Sequence, residues 1–168
     1  MTTLYILSGI SFAGKSVLAK AINSCTHSEI VDPDQVAHEF GLGLNGELLS
    51  DAEWSVFHSI AEGRAREFLN SGVSVIYDTT SFTKSQRDHL KQIAYECNAN
   101  AQVIFVRVSK EVALKRWELN RLSKERFHVH FDDFNMIANQ FEPPYCESEI
   151  TYNAEEDLPR WLQENLGC

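Results

Sequence analysis

Residues 9–16 read GISFAGKS, a full match to the pattern GxxxxGK followed by Ser or Thr. An apolar run at residues 3–8 comes directly before this loop and predicts a buried strand, and a helical pattern begins at Ser16. In this setting the backbone N–H groups of the loop converge on phosphate oxygens at the positive end of the helix. The sequence therefore predicts nucleotide binding by Gly9, Ser11, Phe12, Ala13, Gly14, Lys15, Ser16 and Val17.

Each fixed position of this loop has a chemical reason. Gly9 and Gly14 permit backbone angles and a close approach that a side chain would block. Lys15 is predicted to reach the β- and γ-phosphates, and the hydroxyl of Ser16 is predicted to ligate Mg²⁺. We also expect Lys15 to face solvent until a phosphate arrives, so that its replacement leaves the fold intact.

Outside the loop, strand and helix patterns alternate along the chain. Apolar runs predict strands at residues 3–8, 29–32, 73–77, 101–108 and 149–152. Helical spacing marks the segments between them, including a long amphipathic helix at residues 52–69. This order predicts one α/β domain over residues 1–168, with a five-stranded, mainly parallel sheet, helices on both faces and a helical lid at about 116–131.

Acidic residues follow two of the predicted strands, at the sheet edge where ligands collect in open α/β folds. Asp78 closes the apolar strand at residues 73–77 and is predicted to hold Mg²⁺. Asp34, two residues after Asp32, is predicted to act as the general base that takes the proton of an acceptor hydroxyl. Asp32 remains an alternative base, and capping a helix is the other common use of an Asp after a strand.

The only local concentration of positive charge lies at residues 115–126, where Arg116, Arg121 and Arg126 are spaced five apart. Phosphoryl transfer needs cations over the transferring group, and arginines on a mobile segment commonly supply them. We therefore predict that one of these three stabilises the transition state from the lid. The alternative is a solvated helix face, because Glu118 and Glu125 are interleaved with the arginines.

Taken in order along the chain, these features resemble the P-loop kinase group that includes polynucleotide 5′-kinases, seryl-tRNA kinases, chloramphenicol phosphotransferase and zeta toxins. The resemblance covers about residues 3–144 and rests on GISFAGKS, the acid after the second strand, VIYDTT at residues 75–80, Arg87, the 116–126 region and QFEPP at residues 140–144. It implies that Asp34 is the base, that Asp78 and Thr79 belong to the Mg²⁺ and γ-phosphate environment, and that ATP is the phosphate donor. There are two departures: where polynucleotide kinases carry an arginine that reads a substrate phosphate, this sequence has Ala37, and their lid arginines are spaced differently from the five-residue steps found here.

The composition limits the partners. The chain has 168 residues, and its 15 Lys and Arg against 24 Asp and Glu give a formal net charge of -9. Proteins that coat nucleic acid normally have a basic surface, so this charge disfavours a nucleic-acid partner. The four cysteines are far apart and form no CxxC pair, which predicts reduced thiols in a cytoplasmic protein. The apolar run near the N-terminus is too short for a membrane helix, so we expect no membrane partner.

Together these observations predict an ATP-dependent, Mg²⁺-requiring phosphotransferase that acts on a hydroxyl of a small molecule. Two alternatives stay open: a polynucleotide or tRNA-type kinase, and a nucleotide-binding NTPase or switch without a dedicated acceptor. Asp34 favours a kinase, because a switch needs no base opposite the γ-phosphate. Residues 38–49 and the helix after them are predicted to form the acceptor wall, with apolar members Phe40, Leu42, Leu44, Leu48 and Leu49.

Overall fold

The structure is a computed structural model that describes residues 1–42, 49–123 and 129–168. In these residues the strands are β1 (Thr3–Ser8), β2 (Glu29–Val31), β3 (Val75–Tyr77), β4 (Asn100–Arg107) and β5 (Ile150–Asn153). The helices are α1 (Lys15–Thr26), α2 (Pro33–Glu39), α3 (Asp51–Asn70), α4 (Lys84–Glu96), α5 (Lys110–Ser123), α6 (Phe131–Gln140) and α7 (Leu158–Leu166). The five predicted strands are present, and the alternation of strands and helices is confirmed.

The five strands form one sheet in the order β2-β3-β1-β4-β5, and every pairing is parallel. β1 lies at the centre, with Leu4 opposite Val75 of β3 on one side and Ala101 of β4 on the other. Because the strands all point the same way, their C-terminal ends meet at one edge of the sheet. The predicted fold class is therefore confirmed, and the sheet is entirely rather than mainly parallel.

Two apolar cores cover the two faces of this sheet. Helices α2, α3 and α4 pack on one face, where Phe57 and Leu90 are buried. Helices α1, α5, α6 and α7 pack on the other face, where Trp117 and Trp161 are buried. Coverage on both faces explains why the strands have nearly continuous apolar sequences. None of the described helices combines the length and apolarity needed to cross a bilayer.

Helix α2 is an element that the sequence patterns do not predict. Pro33 reads as the end of the second strand, but it occupies the first turn of α2, where its fixed φ suits a helix start. Asp32 caps this helix, and its side chain accepts a hydrogen bond from the backbone N–H of Asp34 at 2.8 Å. Capping is thus the observed structural role of Asp32, and α2 presents Asp34 from its first turn.

The prediction of four reduced thiols is wrong for one pair of cysteines. Cys25 in α1 and Cys168 form a disulfide, and their Cα atoms lie 5.9 Å apart. The two residues are 143 positions apart in the chain, and they meet because α1 and α7 share one face of the sheet. Cys97 and Cys146 are free thiols.

Candidate active site

The GISFAGKS loop connects the central strand β1 to α1 at the C-terminal edge of the sheet. Its two glycines are required for different reasons, a close backbone contact at Gly9 and a left-handed backbone conformation at Gly14. A Cβ on Gly9 would lie 2.7 Å from the carbonyl oxygen of Val106 in β4, so a side chain cannot fit there without a shift of the backbone. Gly14 has a φ of 107° at the N-cap of α1, a left-handed conformation that glycine adopts at no steric cost. The loop therefore needs glycine at both positions.

The remaining loop residues divide into buried and accessible ones. Ser11 is buried, and Phe12 packs against Phe134 of α6 with ring centroids 6.4 Å apart. Ser16 and Val17 lie in the first turn of α1 and are exposed. The Ser16 hydroxyl can therefore be reached by a ligand that binds at the start of this helix.

Lys15 is buried, which corrects the expectation that it faces solvent. It is 9% exposed, and its Nζ donates hydrogen bonds to the carbonyl oxygens of Gly9 at 3.0 Å and Ile10 at 2.9 Å. Burial lowers the pKa of Lys15 to about 8, although nearby carboxylates oppose this change. The lysine is thus already held within the curve of the loop by the loop's own backbone.

Asp32, Asp34 and Asp78 are the carboxylates that act on Lys15, and Asp78 acts most strongly. They meet here because β2 ends just before Asp32 and β3 ends just before Asp78. Asp78 is nearly buried, at 7% exposure. Burial raises the pKa of Asp32 to about 7, and repulsion from the other two carboxylates adds to this rise. The structure therefore gathers the three predicted acids around the predicted lysine.

Asp34 is the most accessible of the three acids, since it is exposed in the first turn of α2. The pKa of Asp34 is raised, first because neighbouring groups partly desolvate the carboxylate and second because Asp78 repels it. His38 in α2, Lys15 in the loop and His58 in α3 oppose the rise. A carboxylate whose pKa lies closer to neutrality is a better proton acceptor, so Asp34 is equipped to act as a base.

A cleft of about 390 Å³ opens beside the loop, on the side of α5 and β5. Its volume is within the range of small-molecule pockets. Arg116 of α5 forms part of this cleft, and its Nη1 donates hydrogen bonds to the carbonyl oxygens of Phe12 at 3.1 Å and Ala13 at 3.0 Å. This arginine therefore ties α5 to the loop. The cleft is lined by Phe12, Ala13, Gly14, Val17, Arg116, Leu119, Asn120, Ser123, Tyr152 and Ala154.

The three predicted lid arginines have different positions. Arg116 contacts the loop, whereas Arg121 is exposed and its guanidinium lies 5.1 Å from the ring centroid of Trp117. Arg126 falls within residues 124–128, which lie outside the described residues, as do Leu44 and Leu48 of the predicted acceptor wall. Within the predicted lid, residues 116–123 are helical as part of α5, residues 129–130 have no regular secondary structure, and α6 begins at Phe131.

The segment that carries Thr79 is held by contacts that sequence reasoning missed. The N–H of Gly9 donates a hydrogen bond to the carbonyl oxygen of Thr80, the residue after Thr79, at 3.1 Å. Arg87 is fully buried and donates to the carbonyl oxygen of Ser81 at 2.9 Å and to the carboxylate of Glu147 at 2.7 Å. The family features include Arg87, but nothing in the sequence marks Glu147, sixty positions away, as its partner.

The oxygen donors at the loop fit a Mg²⁺ ion that binds together with a nucleotide. Ser16 offers a hydroxyl and Asp78 a carboxylate, and Mg²⁺ usually takes one or two protein ligands with substrate phosphates and waters. Within residues 1–42, 49–123 and 129–168, no group of three or more His, Cys, Asp or Glu side chains is arranged to hold a metal.

Solved structures of kinases share this fold over nearly the whole chain. A gluconokinase from Sinorhizobium meliloti has a TM-score of 0.69 at 18% identity, covering 96% of this chain and 88% of that one. The APS kinase CysC from Mycobacterium tuberculosis, solved with AMPPNP and APS, has a TM-score of 0.67 at 16% identity, covering 98% and 95%. Kti12 from Chaetomium thermophilum, in complex with ADP-AlF3, has a TM-score of 0.75 at 14% identity, covering 97% and 96%. At these identities the likeness shows the fold.

The sequence comparison points to a family. A family model described as the AAA domain matches residues 4–144. The match begins in β1 and ends at the close of QFEPP, so it contains the loop, the three acids and the three arginines. No curated protein matches the sequence.

Proposed function

Because the chain belongs to the AAA domain family and has the P-loop kinase fold, we propose that it transfers the γ-phosphoryl group of ATP to a hydroxyl of a small molecule. The observation that carries this proposal is the pairing of Lys15 and Asp34. A buried lysine of the phosphate-binding loop lies within electrostatic reach of an accessible carboxylate whose pKa is raised. A base in that position serves an acceptor hydroxyl, whereas a nucleotide switch does not require one.

The donor nucleotide occupies the loop and the 390 Å³ cleft in this proposal. The loop N–H groups and Lys15 hold the phosphates, and the adenine ring of the nucleotide lies between Val17, Leu119 and Tyr152. Arg116 keeps the loop in position from the wall of the same cleft. When bound with ATP, Mg²⁺ neutralises phosphate charge and aligns the β- and γ-phosphates, and its protein ligands are Ser16 and Asp78.

Asp34 accepts the proton of the acceptor hydroxyl as the acceptor oxygen forms its bond to the γ-phosphorus. The bond between the γ-phosphorus and the β–γ bridging oxygen breaks, and ADP leaves with that electron pair. Lys15 stabilises the charge on the transferring group, and Thr79 belongs to the environment of the same γ-phosphate. A further cation comes from Arg116, Arg121 or Arg126, of which Arg116 already contacts the loop.

Asp34→Asn tests the proposed base. The amide has nearly the same shape but cannot take a proton, so acceptor phosphorylation should fall by at least about 100-fold while ATP binding is nearly unchanged. The rate is measured with labelled ATP at saturating nucleotide, and calorimetry measures ATP binding. Asp32→Asn is the matched control, because an asparagine also caps α2 and a smaller loss of rate is expected. Full transfer by Asp34→Asn would show that another group is the base.

A screen of hydroxylated metabolites, antibiotics, nucleosides and oligonucleotides with labelled ATP separates the kinase from the alternatives. A small-molecule kinase should hydrolyse or transfer faster when its acceptor is added. Phosphorylation of oligonucleotides alone would favour the nucleic-acid kinase, and slow turnover that no acceptor accelerates would favour the switch. Only the carboxylate form of Asp34 accepts a proton, and its pKa is raised, so the transfer rate should begin to decline at a higher pH than it would for an ordinary Asp as the buffer is acidified.

A further inference from the structure

The wall that faces Asp34 contains no permanent positive charge of its own. Residues 21–63, which supply β2, α2 and the first half of α3, include eight Asp and Glu but not a single Lys or Arg in 43 positions. The next cation in the sequence, Arg64, donates to both carboxylate oxygens of Glu39. Ala37, three residues after Asp34, is buried at 1% exposure. Residues 21–63 therefore offer an anionic acceptor no arginine to pair with.

Aromatic rings continue this wall away from Asp34. The ring centroid of Phe57 lies 5.8 Å from that of Phe40 and 6.4 Å from that of Trp54, and Trp54 lies 6.3 Å from His58. Phe40 is 60% exposed and Trp54 is half-buried, so part of this aromatic surface is open. Leu42 and Leu49, in contrast, pack against the core.

His58 lies next to the ring of Trp54 and is also within electrostatic reach of Glu62 and Asp34. Burial lowers the pKa of His58, although Glu62 and Asp34 oppose this change, so His58 adds little positive charge at neutral pH. Glu62 lies on the same helix and also contacts Nε2 of His89 at 3.0 Å. Acids beside open aromatic faces form an environment that attracts cations, because both the carboxylates and the ring faces are electron-rich.

Tyr77 is a buried polar group beside this wall whose hydrogen-bonding capacity is unmet. Its side chain is 1% exposed, and its hydroxyl makes no hydrogen bond with any residue in the described part of the chain. Glu62 and Asp32 are the charges that act on this phenol, so it lies at the end of β3 between α2 and α3. Buried hydroxyls are normally hydrogen-bonded, so a polar partner is missing at this point behind the acidic wall.

We propose that the acceptor is an amine-bearing alcohol, whose ammonium group lies against the acids and aromatic rings of this wall while its hydroxyl faces Asp34. The inference rests on the proposed phosphotransfer and narrows its substrate class. It separates this chain from kinases that act on anionic acceptors, since the wall that would neutralise such a substrate is itself acidic.

Three probes share a cyclohexane ring with a hydroxyl and differ in the neighbouring group, which is an amine, a second hydroxyl or a carboxylate: trans-2-aminocyclohexanol, trans-1,2-cyclohexanediol and trans-2-hydroxycyclohexanecarboxylate. Calorimetric titration into the full chain with Mg²⁺ and AMPPNP at pH 7.5 measures their affinities. We expect the amine to bind at least about tenfold tighter than the diol, and the carboxylate to bind more weakly than the diol. An amine that binds no tighter than the diol, or does not bind, overturns the proposal.

Variants locate the preference on this wall. Glu62→Gln and Trp54→Leu should each lower the ratio of amine to diol affinity by about threefold or more. Glu164→Gln, which removes an exposed carboxylate on α7, is the matched control and should keep the wild-type ratio. An unchanged ratio in both wall variants would refute the assigned location.

Labelled ATP then separates this inference from the proposed function. Faster phosphoryl transfer to the hydroxyl of the amine probe than to the other two probes supports both the phosphotransfer and the amine-bearing acceptor. Amine-selective binding with no transfer to any hydroxyl compound would refute the phosphotransfer and leave the charge preference in place. Transfer that favours the carboxylate would refute the amine-bearing acceptor and keep the kinase.

Discussion

Replacing Lys15 by methionine should abolish nucleotide turnover while leaving the free energy of unfolding nearly unchanged at pH 7. Burial lowers the pKa of Lys15 from 10.5 to about 8, even with three carboxylates nearby, which corresponds to a cost of about 3 kcal/mol for holding the charge at pH 7. The variant also loses two hydrogen bonds from the ammonium group to backbone carbonyl oxygens, at about 1.5 kcal/mol each. The two effects nearly cancel, so we expect the free energy of unfolding to change by less than about 1 kcal/mol.

The pH dependence reveals the cost of the buried charge. Between pH 8 and 10.5 the unfolded chain keeps the Lys15 proton that the folded chain has released, so the wild type gains stability as the pH rises. Lys15→Met lacks this gain, so its stability relative to the wild type should fall across the same range. Urea unfolding at several pH values from 7 to 10 measures the difference. Lys20→Met, which changes an exposed lysine on the same helix, is the matched control and should change little.

Two results would refute this reasoning. If Lys15→Met unfolds at a much lower urea concentration than the wild type at pH 7, the burial of the charge does not cost what its pKa implies. If the difference between Lys15→Met and the wild type is the same at every pH, the titration of Lys15 is not its source. Turnover that persists in the variant would separately remove the lysine from the mechanism.

Three further predictions use matched pairs or a single buried contact. Arg116→Ala should weaken the binding of a fluorescent ATP analogue by about tenfold, because it removes two charge-assisted hydrogen bonds to the loop. Arg121→Ala should have a much smaller effect, and equal losses of affinity in the two variants would contradict the role assigned to Arg116. Gly9→Ala should lower the free energy of unfolding by about 1–3 kcal/mol because of its 2.7 Å clash, while Gly63→Ala, in a helix with open space around it, should raise it by up to about 1 kcal/mol. Glu147→Gln should lower it by about 3 kcal/mol or more in urea unfolding, since it leaves a buried arginine without its ion pair.

Sequence reasoning succeeds where the determining interactions are local. The GISFAGKS loop, its preceding strand and its following helix lie within twenty-four residues, and their pattern predicts their conformation directly. The acids at the strand ends are also predictable, because parallel strands must place their C-terminal ends at one edge. The missed helix α2 was within reach of local rules as well, since Asp32 and Pro33 are a favourable N-cap and first helical residue.

What the sequence could not show depends on contacts between distant residues. Lys15 is buried because three strand ends and the loop close around it, a consequence of strand order that no local pattern contains. The hydrogen bonds from Arg116 to the loop join residues more than a hundred positions apart. The same applies to the Cys25–Cys168 disulfide, whose two cysteines have no informative spacing.

The strand order has a consequence for how such a protein can change its substrate. In the proposed function the donor wall comes from the loop, α5 and β5, while the acceptor wall comes from β2, α2 and α3 on the opposite side of β1. On that proposal the acceptor wall is encoded largely by one contiguous stretch of the chain, residues 29–70. Substitution or recombination within this stretch would then alter acceptor choice while the proposed nucleotide-binding parts keep their sequence. Such a fold would combine a fixed phosphate-donor site with an exchangeable acceptor site.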